Sequence, residues 1–466
     1  MSIWNIVSTR NITAIRNLES TSTSTRGISR HKGLCLGAVG FAIALLVVVF
    51  NGAVLNACGK AEARRIVARA HPGSVLRISR LDYSVWANRL VAHSVALSGT
   101  TTTIKADRIA LTGVRWPRLL WRPSAPADAF AKASLEATNV DVEFPSAHYG
   151  LRCARLQASV PGSELVAEDS ELRTLAGDEQ FFAAHAFRTT RFHVVAPECR
   201  VSGLAFGELL QGKSYRARSI TFSRPSFDAL VNCDQPAGRA VQTPPMVHEA
   251  LTAVRRPLQI DSLNITNGHL AYCERVVAGT APGVLTVAAV NMFVEGIANH
   301  GGASAAIRLQ ARGNLMGAGT LTLAMSIPIT PRDFSLHYCG SLGAMDLTRL
   351  NGFLETAEHT RITSGSAKQA AFEIDVAAGR ARGRVRGAYE NLVIAVLDKT
   401  TGDEKGLANR AVSFFENVVK IRKSNVPDES GAMREGKVDY TRKTDDRFVE
   451  FLWFALRTGV MDLISR

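Results

Sequence analysis

The stretch Leu321-Thr-Leu-Ala-Met-Ser-Ile-Pro-Ile329 shows the pattern that decides the fold. Large apolar residues alternate in it with small or polar ones, which is the two-residue period of a β-strand with one covered face. The residues on the apolar face are Leu321, Leu323, Met325, Ile327 and Ile329. Pro328 has no backbone N–H and is typical of a strand end or a sheet edge.

The same period dominates the chain from about residue 77 to residue 396. Few segments in this interval show helical spacing, so we predict a mainly β fold, an elongated, curled antiparallel sheet that forms a groove. Three segments each contain two apolar residues separated by one other residue, which we call an apolar step. The steps are Ile109 with Leu111, Ile220 with Phe222, and Leu263 with Ile265. Their variable separation indicates a reused strand-and-turn unit without a fixed repeat length.

Near the N-terminus, residues 33–55 (GLCLGAVGFAIALLVVVFNGAVL) contain no charged side chain and are bracketed by Lys32 and Lys60. An apolar helix of about 20 residues crosses a hydrocarbon layer of about 30 Å. We therefore predict a cytoplasmic polar tail over 1–32 and a transmembrane helix over 33–57. Basic residues flank both sides, so the positive-inside rule hardly decides the orientation. An exported C-terminal domain is favoured, because long domains translocate largely regardless of their charge.

The cysteines leave two questions open. Leu55-Asn-Ala-Cys58 resembles the lipobox at which bacterial lipoproteins are cut and acylated, although Asn56 departs from the usual small residue. Acylation of Cys58 is therefore the alternative to an uncleaved anchor. The other cysteines include no C-x-x-C pair, which indicates neither a metal site nor a dense disulfide framework. Buried free thiols and one or two disulfide bonds both remain compatible with their spacing.

Beyond the anchor, the pattern predicts a β-rich periplasmic region over 58–309, a second β region over 310–400 and a helical segment over 401–466. Helical spacing recurs within 405–420 and 446–464, with a polar loop between them. The wide apolar surface of the last helix favours a cap that packs on the sheet. Docking onto a membrane surface or an envelope partner is the alternative. The docking residues would be Phe451, Trp453 and Leu456.

Composition and motifs argue against several classes of function. The formal charge is +14, yet the bases are scattered and no nucleic-acid-binding motif accompanies them, so we predict attraction to anionic lipid and no nucleic-acid partner. Gly207–Ser214 satisfies the phosphate-loop pattern, but the strand-like Tyr215–Phe222 follows it where a helix would be needed. No metal-ligand pair or nucleophile motif occurs. We therefore predict no enzyme activity, catalytic residue, metal or cofactor.

One row of basic residues lies near the end of the β region. Arg380, Arg382, Arg384 and Arg386 alternate with small or apolar residues, which places their guanidinium groups on one face of a strand. A solvated outer face explains such a row. Contact with a lipid headgroup or another anionic group is the functional alternative.

Several segments of the C-terminal half carry a family resemblance. They are 336–351 (LHYCGSLGAMDLTRLN), 362–365 (ITSG), 372–375 (FEID), 383–394 (GRVRGAYENLVI) and 451–459 (FLWFALRTG). In order, spacing and residue type they resemble the C-terminal half of AsmA-like proteins. The resemblance is good over about residues 310–466 and weaker over 70–300, where 201–204 and 220–225 are similar to the strand unit of the same superfamily.

The resemblance implies a single-pass protein of the bacterial inner membrane with a β-rich periplasmic part, whose curled sheet forms an apolar groove. AsmA-like proteins are implicated in moving phospholipid towards the outer membrane, and the family supplies no catalytic residues. At 466 residues this chain is shorter than the largest members, so it is not expected to bridge two membranes alone. The partners implied are phospholipid, the inner membrane and an outer-membrane or envelope protein that meets the C-terminal helix.

We therefore expect inward-facing apolar side chains to contact acyl chains in a groove. The residues expected to line it are Ile220, Phe222, Leu263, Ile265, Leu321, Leu323 and Met325. A non-transporting envelope scaffold, whose sheets close on each other as a dry core, is the first alternative. An envelope hydrolase is the second, and it would need Asp, His or Ser side chains that converge in a cleft.

Overall fold

The chain is mainly β, with eighteen strands in one mixed sheet and few helices within the described residues. The computed structural model describes residues 73–84, 86–115, 126–235, 245–300, 305–329, 333–397, 421–444 and 446–465. The predicted tail over 1–32, the predicted span over 33–57 and Cys58 lie outside these residues. Within them, no helix combines the length and the apolar character needed to cross a membrane.

The strands follow one another at short intervals along the chain, as the repeated apolar steps predict. They are β1 Val75–Ser84, β2 Arg89–Ser98, β3 Thr103–Thr112, β4 Ser134–Phe144, β5 Tyr149–Ser159, β6 Glu164–Thr174, β7 Thr190–Ser202, β8 Tyr215–Ser223, β9 Ser226–Asn232, β10 Leu258–Arg275, β11 Gly283–Ala298, β12 Ala306–Leu315, β13 Gly319–Pro328, β14 Leu336–Leu342, β15 Met345–Asp346, β16 Thr360–Ala377, β17 Arg380–Val396 and β18 Glu435–Thr441. The helices are α1 Pro126–Phe130, α2 Asp178–Ala183, α3 Phe206–Leu210, α4 Val247–Thr252, α5 Asn351–Ala357 and α6 Phe448–Ile464.

Most neighbouring strands are antiparallel, but one pairing is not. β8 and β9 act as a single interrupted strand that pairs antiparallel with β7 and parallel with β10. The prediction of a wholly antiparallel sheet is therefore wrong at this point. A parallel pair needs a long crossover connection, which the chain between Asn232 and Leu258 provides.

Both ends of the sheet are closed by apolar cores. In the N-terminal core, residues of β1–β3 pack with Phe130 of α1, and Leu90 is 0% exposed. In the C-terminal core, residues of β10–β18 pack with α4 and α6, and Ile374 is likewise 0% exposed. Fully burying one such side chain contributes about 1.5–3 kcal/mol, so these cores stabilise the two ends of the fold.

The helix α6 covers the last two strands of the sheet. Its start is fixed by the Arg447 backbone N–H, which donates to the Glu450 carboxylate at 3.2 Å. Phe451 is 0% exposed, and its ring centroid lies 5.1 Å from that of Phe334. The helix lies so close to β18 that a Cβ atom at Gly436 would be 1.9 Å from a backbone oxygen of α6. Only a glycine fits at this position.

The same helix also closes the outer edge of β18. The Lys437 backbone N–H donates to the Asp462 carboxylate at 2.7 Å, and the Asp439 N–H donates to the Thr458 hydroxyl at 3.4 Å. Unpaired edge donors otherwise invite another strand. At its other end, the Arg447 guanidinium donates to the Thr190 hydroxyl at 3.4 Å, which links α6 to the start of β7.

A line of irregular positions, here called the crease, crosses the first strands of the sheet. Between β2 and β3 the ladder pairs His93 with Arg108 and Val95 with Ala106, so Ser94 lies opposite no ladder partner. Ser94 in β2, Asn139 in β4 and Asp169 in β6 all have left-handed φ angles, of 48°, 48° and 49°. Short polar residues tolerate that conformation better than branched ones.

The crease explains a spacing that repeats in the sequence. In β2 the apolar residues are Leu90, Ala92, Val95 and Leu97, with a step of three where Ser94 lies. All four belong to the N-terminal core, so the longer step keeps both halves of the strand on the same face. The same spacing occurs in β1, as Leu76, Ile78, Leu81 and Tyr83, and in β4, as Leu135, Ala137, Val140 and Val142.

The segment predicted as helical over 401–466 contains more than helix. Its first predicted helix lies outside the described residues, and α6 matches the second. Between them, Glu435–Thr441 forms β18, where the sequence predicts a polar loop. Gly436 and Val438 are both buried, but glycine adds no apolar side chain to the pattern, so the alternation is too weak to predict the strand.

Candidate functional site

The sheet register places all the predicted groove residues on one face. Ile220 pairs with Leu263, and Phe222 pairs with Ile265. Ladder pairs point to the same side of a sheet, as do alternate residues of one strand. From Ile265 the ladders lead through Met292 and Ala311 to Leu323, whose strand neighbours Leu321 and Met325 share that side.

Two rows contain all of these residues except Leu321. They cross the sheet from β1 to β16 and β17, and we call them the apolar stripe. One row consists of Tyr83, Leu90, Leu111, Leu135, Ala158, Leu165, Val201, Ile220, Leu263, Val294, Leu309, Met325, Tyr338 and Ile374. The other consists of Leu81, Ala92, Ile109, Ala137, Leu156, Ala167, Cys199, Phe222, Ile265, Met292, Ala311, Leu323, Gly340, Phe372 and Val385. Neither row contains a charged residue.

Burial along the apolar stripe differs between its ends and its middle. The members on β1–β3 are buried in the N-terminal core except Tyr83, and Tyr338 and Ile374 are buried in the C-terminal core. On β5–β8 every member is only half-buried. We call the part on β5–β10 the stripe middle. Its members are Leu156, Ala158, Leu165, Ala167, Cys199, Val201, Ile220, Phe222, Leu263 and Ile265.

The predicted lining residues therefore fall into two groups. Ile220, Phe222, Leu263 and Ile265 belong to the stripe middle, whereas Leu321 and Leu323 are half-buried farther along. Met325 is 6% exposed and is part of the C-terminal core, so its side chain is already covered. Met325 and Ile327 lie on the same face of β13, and both are buried in the C-terminal core. Met325 is therefore not a lining residue of an open groove.

The predicted docking residues of α6 do not act together either. Phe451 is buried against the sheet with Ala455, while Leu456 is half-buried and Trp453 is 44% exposed. Successive helix residues point about 100° apart, so one face of α6 cannot present all three. For Phe451 the structure confirms the favoured prediction of a cap that packs on the sheet.

A partly buried acidic group lies near the start of α6. The Tyr272 hydroxyl donates to the Glu274 carboxylate on β10. Burial raises the pKa of Glu274, although the hydrogen bond from Tyr272 and the charge of Arg188 act in the opposite direction. The negative charge of Glu450 on α6 also raises this pKa. Glu274 thus favours its protonated form more than an exposed carboxyl does.

The predicted arginine row lies on the opposite face from the apolar stripe. Arg380 pairs with Asp439 at 2.8 Å, Arg384 with Glu373 at 3.2 Å, and Arg386 with Glu435 at 2.5 Å. These cross-strand pairs, on exposed side chains, largely account for the row as a solvated outer face. Arg380 holds the pKa of Asp439 below its ordinary value through a hydrogen bond.

The arginine face also carries a cavity of about 870 Å³, which we call the polar trough. It crosses β10–β14, β16 and β17, with side chains from two rows of that face. The first row contributes Asn264, Phe293, Gln310, Ala324, Cys339, Glu373 and Arg384. The second contributes Thr266, Asn291, Arg312, Thr322, Ala371 and Arg386. Ile265 and Leu323 border the trough, but their side chains belong to the apolar face.

Sequence reasoning missed two parts of this arrangement. The stripe members on β4–β7 were not predicted, although the spacing of Leu165, Ala167, Ser170 and Leu172 in β6 repeats that of β2. That repeated step of three was the available signal. The polar trough has no comparable signal, because its residues come from seven strands that only the register brings together.

Comparison with protein-family models and with curated proteins found no match to this chain.

Proposed function

We propose that this chain is a membrane-anchored envelope protein that binds phospholipid acyl chains along the stripe middle. In this proposal it takes part in lipid transport or outer-membrane biogenesis, and the bound molecule is phospholipid. The single observation that carries the proposal is the apolar stripe, which continues without a charged residue across the sheet but is only half-buried on β5–β8.

The proposal includes an elongated sheet that curls around the stripe middle as a groove. The crease supports such a curl, because its left-handed positions recur in β2, β4 and β6, and local irregularities of this kind bend a sheet and increase its twist. The contact of Arg447 with Thr190 supports it as well, since it joins a helix packed on β18 to the start of β7. A third apolar core, around Phe181, Phe182 and Phe192, packs on parts of β5, β7, β9 and β10. In the proposed groove, acyl chains cover the side chains of the stripe middle, which the cores leave half-buried.

The driving force in this proposal is the burial of hydrocarbon. Each methylene removed from water contributes about 0.8 kcal/mol, so an acyl chain needs no charged or covalent contact to be held. The aliphatic side chains of Leu156, Leu165 and Ile220 offer such burial without a polar group. Binding of this kind needs no catalytic residue or cofactor.

The proposed location is the bacterial inner membrane, with the span at 33–57 and the sheet in the periplasm. The uncharged run between Lys32 and Lys60 supports the anchor, and the formal charge of +14 favours contact with anionic headgroups. In this arrangement the first strand, β1, begins close behind the anchor in sequence.

A pair of substitutions in β8 tests the proposal. Ile220 and Thr221 are adjacent and half-buried, but they point to opposite faces. Ile220→Glu places a carboxylate among the proposed acyl chains, whereas Thr221→Glu places it next to Arg200 on the polar face. We expect the full-length Ile220→Glu protein to lose bound phospholipid, measured by mass spectrometry of lipid extracts, and Thr221→Glu to retain it.

The scaffold alternative predicts a different result from the same pair. If the stripe middle were sealed as a dry core, Ile220→Glu would unfold the protein, because an unpaired buried charge is very costly. Circular dichroism and a thermal melt of both variants separate the two outcomes. A folded Ile220→Glu protein with unchanged phospholipid content would refute acyl-chain binding at this site.

A further inference from the structure

We infer that the polar trough binds an acidic glycan, meaning a hydroxyl-rich chain that carries carboxylate or phosphate groups. This site is distinct from the proposed acyl-chain site, because the trough side chains lie on the face opposite to the apolar stripe. It also gives the cavity on that face a role that the proposed function leaves unexplained.

An aromatic ring flanked by amides forms one part of the trough. Phe293 is 41% exposed, although it lies in the middle of a strand that is paired on both sides. Its ladder partners are Asn264 and Gln310, whose side chains make no hydrogen bond to any described residue. Side-chain amides both donate and accept, as sugar hydroxyls require, and an exposed ring offers an apolar surface to a sugar's C–H groups.

The charge of the trough favours an anionic ligand. Arg312 forms no ion pair with any described carboxylate, and it lies next to Gln310 along the same face of β12. Arg384 and Arg386 lie farther along, on β17. Arg384 pairs with Glu373 of β16, which is the acidic residue of the trough, and Arg386 pairs with Glu435 of β18. The spacing of about 4.8 Å between neighbouring strands puts the two basic positions roughly 19 Å apart. An extended chain with repeated negative charges matches this separation better than a single small anion.

The position of the trough argues against a peptide ligand. It lies on the face of the sheet, where each strand that lines it pairs with neighbours on both sides. Their backbone donors and acceptors are committed to those neighbours, so a peptide cannot add as a further strand. Only side chains remain for recognition, and amides with guanidinium groups suit hydroxyl and acidic groups.

The test measures binding of galacturonate tetrasaccharide to the full-length protein by isothermal titration calorimetry. Arg312→Gln removes the unpaired charge, and Phe293→Leu removes the ring while keeping an apolar side chain. Arg308→Gln is the matched control, because Arg308 lies on the same strand and face but outside the trough. We expect Arg312→Gln to raise the Kd about tenfold. Phe293→Leu should raise it several-fold, and Arg308→Gln should leave it unchanged.

The ligand class is tested with three further probes. Maltotetraose, which is neutral, should bind at least tenfold more weakly than the acidic tetrasaccharide, and added salt should weaken the acidic ligand further. Equal affinity for both sugars would overturn the inference, as would equal effects of Arg312→Gln and Arg308→Gln. Stronger binding of a tetraglutamate peptide would assign the trough to acidic peptides. Equal affinity for inorganic phosphate would reduce it to a simple anion site.

Discussion

The two ends of the apolar stripe and its middle are built from the same residue types but have different surroundings. Leu90 at one end and Ile374 at the other are 0% exposed, in the cores to which α1 and α6 respectively contribute. Leu165 and Ile220 in the middle occupy equivalent ladder positions and are only half-buried. The apolar pattern of the sheet therefore continues between these two cores. The half-buried residues of the stripe middle need an explanation other than core packing.

The largest expected loss of stability comes from comparing Phe→Ala variants, one in the C-terminal core and one in the stripe middle. Phe451→Ala removes a ring packed at 5.1 Å from Phe334 in the C-terminal core and should destabilise the protein by about 3–5 kcal/mol. Phe222→Ala in the stripe middle should cost about 1 kcal/mol. Urea unfolding of the full-length variants measures both. Equal losses would mean that the middle is packed like a core.

A smaller effect is expected where α6 approaches β18. A Cβ at Gly436 would lie 1.9 Å from the Gly459 backbone oxygen, so Gly436→Ala forces the helix away from the strand. Overpacking of this kind costs about 1–3 kcal/mol. Gly352→Ala is the control, because nothing lies within 4 Å of a Cβ there. Thermal melts of both variants test the prediction, and an unchanged melting temperature for Gly436→Ala would refute the close contact.

The crease gives a third test on strands that run from the N-terminal core towards the middle. Asn139 has a φ of 48° and donates to the Asp107 carboxylate at 2.7 Å. Asn139→Val loses the hydrogen bond and adds a branched side chain in a left-handed conformation, which costs about 1–2 kcal/mol. Asn139→Gly loses the same bond without that strain. We therefore expect Asn139→Val to unfold at a lower urea concentration than Asn139→Gly, and the reverse order would contradict the crease.

The smallest effect concerns Glu274 and depends on pH. Burial raises its pKa from the ordinary value of 4.5, so ionisation destabilises the folded state as the pH rises through 4.5 and beyond. Glu274→Gln keeps an acceptor for the Tyr272 hydroxyl and removes the titration. Its stability relative to the native protein should be constant in acid and should increase at higher pH. Urea unfolding at several pH values measures this difference, and a flat difference would contradict a buried carboxyl.

The sequence was sufficient to predict the mainly β fold and the apolar face, because alternation is local. Ile220, Phe222, Leu263 and Ile265 were each predicted to face the same side, and the register confirms it. The cover over each part could not be predicted, since it depends on where α1, α4 and α6 pack. Met325 illustrates the limit, because it has the same alternation as Leu323 but is buried within the C-terminal core, whereas Leu323 is half-buried and packs against that core.

Two further features depend on pairing between distant strands. The parallel pairing of β8 with β10 follows from a crossover that no local pattern specifies. The polar trough brings together Asn264, Phe293 and Arg384 from strands far apart in the chain. By contrast, the crease has a local signal in the sequence. It is the repeated three-residue step between apolar residues, and in β2 that step contains Ser94.

The most direct test of acyl-chain binding uses phenylalanines that the chain already provides. A photoreactive phenylalanine analogue is incorporated in living cells at Phe222 in the stripe middle, at Phe293 on the polar face, or at Phe451 in the C-terminal core, and phospholipid adducts are counted by mass spectrometry. If acyl chains bind the stripe middle, we expect phospholipid adducts at Phe222, none above background at Phe293, and only cross-links within the protein at Phe451. Phe222 adducts restricted to the protein's own chain would refute acyl-chain binding there, as would equal lipid labelling of Phe222 and Phe293.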